Sequence, residues 1–200
     1  MQKAGNGGSI SYSNIPNMPN PKLQVYLMAF MVVVTLVILF WNKLRMDRFS
    51  IKEVARPEMV KEYKLLKRIS GYYWLIFSCF GLMTIVYAGL PQFYYIFLPL
   101  DAFDLPVINT MGLLILGVSL VWIIIAQIQI DKELYRLSRN IEKLEAMEMV
   151  RFSERLLISG MFILFLGFST TITNITGIAL VLISGFIYLK QFGTNRNLST

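Results

Sequence analysis

Apolar residues in this chain run in long blocks, not in the strict two-residue alternation of a half-buried strand. Four stretches contain no charged side chain: Leu23–Asn42 (20 residues), Ile69–Leu100 (32), Leu105–Ile130 (26) and Leu156–Leu189 (34). A helix of roughly 20 apolar residues crosses a bilayer core, so each block is long enough to span. The pattern predicts an all-α, polytopic membrane protein with about five transmembrane helices, over residues 23–42, 69–90, 107–129, 154–171 and 174–190.

Two blocks are too long for one crossing. Pro91 ends the helix that starts near Ile69, because proline cannot continue an α-helix without losing a hydrogen bond. The aromatic run from Gln92 to Leu100 is then expected to lie at the membrane surface, interfacial or partly re-entrant. The last block is interrupted by Ser169-Thr-Thr-Ile-Thr-Asn-Ile-Thr-Gly177, a polar, β-branched run that suits a tight turn. Residues 154–190 are read as a C-terminal helical hairpin that spans twice, with a membrane dip as the alternative.

The charged residues between blocks show helical periodicity. Ile130, Leu134, Leu137, Ile141 and Leu144 recur at four–three spacing, an a/d seam of just over two heptads in the loop 131–155. In the loop 43–68, Ser50 and Glu53 make a capping box, and Met59, Tyr63 and Leu66 continue at the same spacing toward the second span. These two seams are expected to pair as short amphipathic stems extending spans two and three. The alternative is that they lie on the headgroups.

Charge sign adds orientation. With five spans and the polar tail 1–22 on the far side, 17 of the 19 Lys and Arg fall in 43–68, 131–155 and 190–200, leaving only Lys3 and Lys22. Basic residues accumulate on the cytoplasmic side of membrane proteins, so the tail is expected outside and residues 193–200 inside. The net charge of +7 is thereby an orientation signal, and nucleic acid is not expected as a partner. The tail, rich in Gly, Asn, Ser and Pro, is expected to be flexible. The membrane is read as a prokaryotic plasma membrane or an organellar one.

Composition removes several chemistries. There is no histidine, which excludes His-ligated haem and His-dependent hydrolytic triads, and the single Cys79 forms no intrachain disulfide. No Asp, Glu, Lys or Arg falls within the uncharged stretches that form the spans, against the usual practice of pumps and voltage sensors. No catalytic, cofactor-binding or metal-binding residues are assigned, and no cofactor is expected. Small residues offer lean faces for helix packing: Gly160 and Gly167 are seven apart, as are Gly112 and Ser119, and Gly81 and Ala88, with Gly177 and Gly185 on the last helix.

Residues Met111–Leu189 resemble the C-terminal half of membrane isoprenylcysteine methyltransferases, in a span leaving into an amphipathic loop, Arg155, and a close hairpin with Gly160 and Gly167. Where that family carries Arg-His-Pro, this chain has Arg155-Leu156-Leu157, and the acidic pair after the last helix is absent. The resemblance therefore implies a relative without the catalytic positions. The expected function is a non-catalytic structural or accessory subunit of a larger membrane complex, binding partner helices, itself or lipid, with anionic headgroups at the inner face. One alternative is a small channel with a polar mouth at Thr170, Thr171, Thr173 and Asn174. Another is a lipid-active enzyme near Arg151, Glu154 and Arg155.

Overall fold

The structure is a computed structural model that describes residues 20–46, 57–100, 103–138 and 143–193. Five α-helices account for most of these: α1 (Pro21–Met46), α2 (Pro57–Gly89), α3 (Pro106–Ser138), α4 (Lys143–Ile172) and α5 (Ile175–Gly193). Four are long and apolar enough to cross a membrane, over Pro21–Trp41, Arg68–Gly89, Pro106–Arg136 and Glu145–Ile172. The protein is thus an all-α, membrane-type bundle. The apolar part of α5, Ile175–Lys190, is shorter.

Each helix starts where backbone chemistry allows it. Pro21, Pro57 and Pro106 occupy the first turns of α1, α2 and α3, where a missing N–H costs nothing. Asn20 adds a cap to α1, its Oδ1 accepting the Lys22 N–H at 3.0 Å. Pro91 ends α2 as expected and opens a seven-residue 3₁₀ helix, Pro91–Phe97.

That 3₁₀ segment covers the stretch expected at the membrane surface, and all of its side chains but Tyr94 are exposed or part-exposed. It is strapped onto the turn between α4 and α5. Pro99 and Asn174 form an isolated antiparallel bridge: the Leu100 N–H donates to the Thr173 carbonyl at 2.9 Å, and the Ile175 N–H to the Leu98 carbonyl at 3.1 Å. The residue before each bridge position is left-handed, Leu98 at φ 54° and Thr173 at φ 43°, so both chains turn sharply into the contact.

The core is aromatic and sits between α1, α2 and α4. Phe80 stacks between Phe165 and Phe168, with ring centroids 5.5 and 5.6 Å away. Phe30 of α1 meets Phe168 edge-on, and Tyr73 lies 5.4 Å from Phe165. Phe80, Phe165, Phe168 and Tyr73 are completely buried. The outward faces carry Val, Leu, Ile and Phe, for example Val32, Leu36, Val118, Ile125, Leu182 and Phe186, all more than half or about half exposed. In water such faces would aggregate; against lipid they cost nothing.

α5 turns back along α4. Phe162 stacks on Tyr188, and the Tyr73 hydroxyl of α2 donates to the Ser184 carbonyl at 3.0 Å. Ser184 therefore lies at the level of Tyr73, five residues from the basic end of the α2 span at Arg68.

Two boundaries differ from the reading of the sequence. The seam 130–144 is not one helix: α3 stops at Ser138 and α4 starts at Lys143, packed antiparallel against it. The helix that carries the fourth span accordingly starts earlier than residue 154, because the charged residues 143–155 are the first turns of the same helix. Ile141, the capping box at Ser50 and Glu53, and the tails lie outside the described residues. So do the side chains of Met59, Tyr63, Leu66, Leu137 and Leu144. The described contacts of the α3 stem are with α4, through buried Ile130 and Leu134 on one side and Ala146 and Val150 on the other.

Candidate functional site

Two features carry the chemistry of the bundle: the α3–α4 hairpin and the capped turn before α5. The hairpin is organised by residues too small to hold helices apart. A Cβ added at Gly112 would come within 3.0 Å of the Thr171 backbone, one at Gly167 would meet Leu116, and one at Gly160 would meet Trp122 and Ile123. Four and then seven residues forward along α3, from Gly112 to Leu116 to Ile123, match four and seven back along α4, from Thr171 to Gly167 to Gly160. This is a constant antiparallel register.

The small positions extend further than the sequence reading took them. On α3 they are Gly112, Ser119 and Ala126; on α4 they are Ala146, Ser153, Gly160 and Gly167, every one seven residues from the next and every one buried. A strict seven-residue repeat on an α-helix imposes a left-handed supercoil. Small residues on both helices let the backbones close up, which gains the dispersion energy that drives association in lipid. The signal was present in the sequence, but Ala146 and Ser153 lie inside the charged stretch 131–155, beyond the uncharged blocks in which the glycines were noticed. Trp122 adds a clamp, its indole N–H donating to the Leu156 carbonyl at 3.2 Å.

The remaining glycine candidates divide by what they face. Gly81 lies against the flexible end of Met31 on α1, a lean contact between α1 and α2. Gly185 faces Phe162 at ordinary van der Waals distance. Gly177 belongs to the turn, where its N–H is held by Asn174.

Asn174 is the centre of that turn and is fully buried. Its Oδ1 accepts the Gly177 N–H, which makes it the N-cap of α5. Its Nδ2 donates to the Tyr94 hydroxyl oxygen at 3.1 Å and lies 3.7 Å from the Met83 sulfur. The Tyr94 hydroxyl in turn donates to the Ile172 carbonyl at 2.6 Å, satisfying one of the last carbonyls of α4. One asparagine and one tyrosine therefore tie together α2, the 3₁₀ segment, and both helices of the C-terminal hairpin.

Two other members of the predicted polar mouth are spent within their own helix. Thr170 and Thr171 donate to the carbonyls of Leu166 and Gly167 at 2.8 and 2.7 Å. Thr176 donates to Phe97 at 3.1 Å. Thr171, Thr173 and Asn174 are buried, so the cluster is a packed turn under the 3₁₀ strap. Hydroxyls elsewhere in the spans behave alike: Thr35, Ser78 and Thr84 each donate to the carbonyl four residues back.

At the basic end, α3 and α4 run on beyond their uncharged stretches. Glu133 is buried against the hairpin and bonds Arg136 one turn on at 3.5 Å. Tyr135, Met149 and Phe152 are about half exposed on this stem. Arg151, Glu154 and Arg155 all engage neighbours. Among the described residues, no group of three or more His, Cys, Asp or Glu side chains comes together as a metal site. The chain matches no protein-family model, no curated protein and no solved structure.

Proposed function

We propose that this protein is a non-catalytic structural or accessory subunit of an integral membrane complex, with the α3–α4 hairpin as the element it offers to partners. The observation that carries the reading is the exposed apolar side of the stem. The 33 residues of α3 make about 50 Å of helix, against a bilayer core of about 30 Å. The last eight residues of α3 and the first thirteen of α4 therefore project past the hydrocarbon, and they carry Tyr135, Met149 and Phe152 among charged neighbours. Apolar side chains outside the bilayer on a paired stem favour contact with another protein.

In this reading the basic stem is cytoplasmic and the 3₁₀ strap is outside, as the distribution of Lys and Arg indicates. α5 is a fifth crossing, its 19 residues giving about 28 Å. Basic side chains at the stem base meet anionic headgroups.

Extraction of the native protein in mild detergent should yield a species with other membrane proteins attached. Phe152→Glu with Met149→Glu should lower that co-purification at least several-fold while the chain's own level in the membrane stays the same. A monodisperse single chain, or co-purification unmoved by both changes, overturns the reading.

A further inference from the structure

Two side chains sit where the backbone favours none. Leu98 closes the 3₁₀ segment and Thr173 closes α4, their N–H groups donating to the carbonyls of Tyr95 at 3.1 Å and Ser169 at 3.0 Å. Both are left-handed, at φ 54° and 43°, in a position that glycine usually fills. A Cβ opposes that conformation, and the branched Cβ of Thr173 opposes it most. The same turn aims each residue's carbonyl across the gap: Leu98 accepts from Ile175, and Thr173 accepts from Leu100. Each strained residue is thus the acceptor of one bridge bond. Losing the bridge removes what holds both conformations in place.

Burial fastens the segment at one point. Of Pro91–Phe97 only Tyr94 is buried, edge-on to Tyr87 at 5.0 Å. Its hydroxyl, between Asn174 Nδ2 and the Ile172 carbonyl, and the bond from Thr176 to Phe97 complete the hydrogen-bonded attachment to the turn. One buried anchor between two strained flanks gives the low local stability of elements that open apart from the core. Beneath the segment lie Thr171, Thr173 and Asn174, all buried.

We infer that the 3₁₀ segment is a reversible latch. Pro91–Phe97 lifts from the α4–α5 turn as one unit, relaxing Leu98 and Thr173 together and admitting water to Asn174, while the helices stay packed. Water replaces the bonds that the turn loses, so opening strands no polar group. The device goes beyond the proposed function and holds whether or not the chain assembles with other subunits.

Hydrogen exchange of the full chain in detergent micelles, resolved to single amides, reads the opening. The Leu100 and Ile175 amides should show matching protection, at least a hundredfold below that of Phe165 in the core. Leu98→Gly and Thr173→Gly should each slow exchange at both amides about threefold. That is roughly tenfold for relieving a left-handed Cβ, less the extra freedom of glycine in the open state. Tyr94→Phe, which takes a partner from Asn174 and from the Ile172 carbonyl, should speed both about tenfold. In a Cys79→Ser chain, Thr173→Cys keeps a Cβ at the strained position. It should react with a water-soluble thiol reagent at a rate that Leu98→Gly slows and Tyr94→Phe raises. Unequal protection at Leu100 and Ile175, protection equal to that of Phe165, or exchange unslowed by one or both glycines overturns the latch. Labelling of Thr173→Cys that ignores Leu98→Gly and Tyr94→Phe overturns the entry of water.

Discussion

A hydrogen in place of a methyl group at Gly112 decides how closely two helices stand. A Cβ there would strike the Thr171 hydroxyl and also the Thr171 backbone, which cannot rotate away. Gly112→Ala should therefore destabilise the bundle by about 1–3 kcal/mol, the usual cost of overpacking. Gly81→Ala, which meets only the mobile end of Met31, should cost much less. Gly117 has nothing within 4 Å, so Gly117→Ala should be neutral or gain about 0.5–1 kcal/mol of helix propensity. Thermal unfolding of the three variants in detergent checks the order, and equal shifts would contradict it. At this scale the sequence was partly legible. Spacing flagged Gly112, Gly160 and Gly167. Asn174 read as one more polar residue, since its role depends on Tyr94, eighty positions away.

Elements were legible wherever a local rule governs them. Prolines opened and closed helices where a missing N–H requires, and uncharged blocks became helices of spanning length. The joins were not legible. The seam from Ile130 to Leu144 kept perfect four–three spacing across a point where the chain reverses, because periodicity reports which side of a helix is apolar and is blind to a turn inserted in step with the repeat. The register of α3 on α4 gives a direct check. Continuing it by seven residues from Ile123 and Gly160 places Ile130 opposite Ser153, both buried. In a chain carrying Cys79→Ser, Ile130→Cys with Ser153→Cys should cross-link on mild oxidation, as disulfide geometry requires Cα atoms within about 7 Å. Replacing Ile130→Cys by Gln129→Cys, on the exposed side, should abolish the cross-link. Cross-linking of both pairs alike would refute the register.

For the whole molecule, the open element of the topology is α5. Its bonds to Tyr73 and its stacking on Phe162 carry it back toward the basic end, which makes Lys190 a neighbour of the stem side. Single cysteines placed in the Cys79→Ser background at Glu148, Tyr95 and Lys190 should separate by side under a membrane-impermeant thiol reagent. Glu148→Cys and Lys190→Cys should label together, and Tyr95→Cys from the opposite face. Labelling of Lys190→Cys with Tyr95→Cys would mean that α5 dips and returns.

Two kinds of information meet in this chain. Which segments enter a membrane, and the asymmetry of charge around them, could be read from the sequence alone, because the cost of placing a side chain in hydrocarbon is paid residue by residue and does not depend on neighbours. Which helix packs on which was decided only by the tertiary structure. Lipid tails are as apolar as leucine, so hydropathy cannot distinguish a helix facing lipid from one facing another helix. That choice rests on fit: Gly112 against Thr171, Gly160 against Ile123, Phe80 between two phenylalanines, and a 3₁₀ strap bonded to a turn that Asn174 holds from inside.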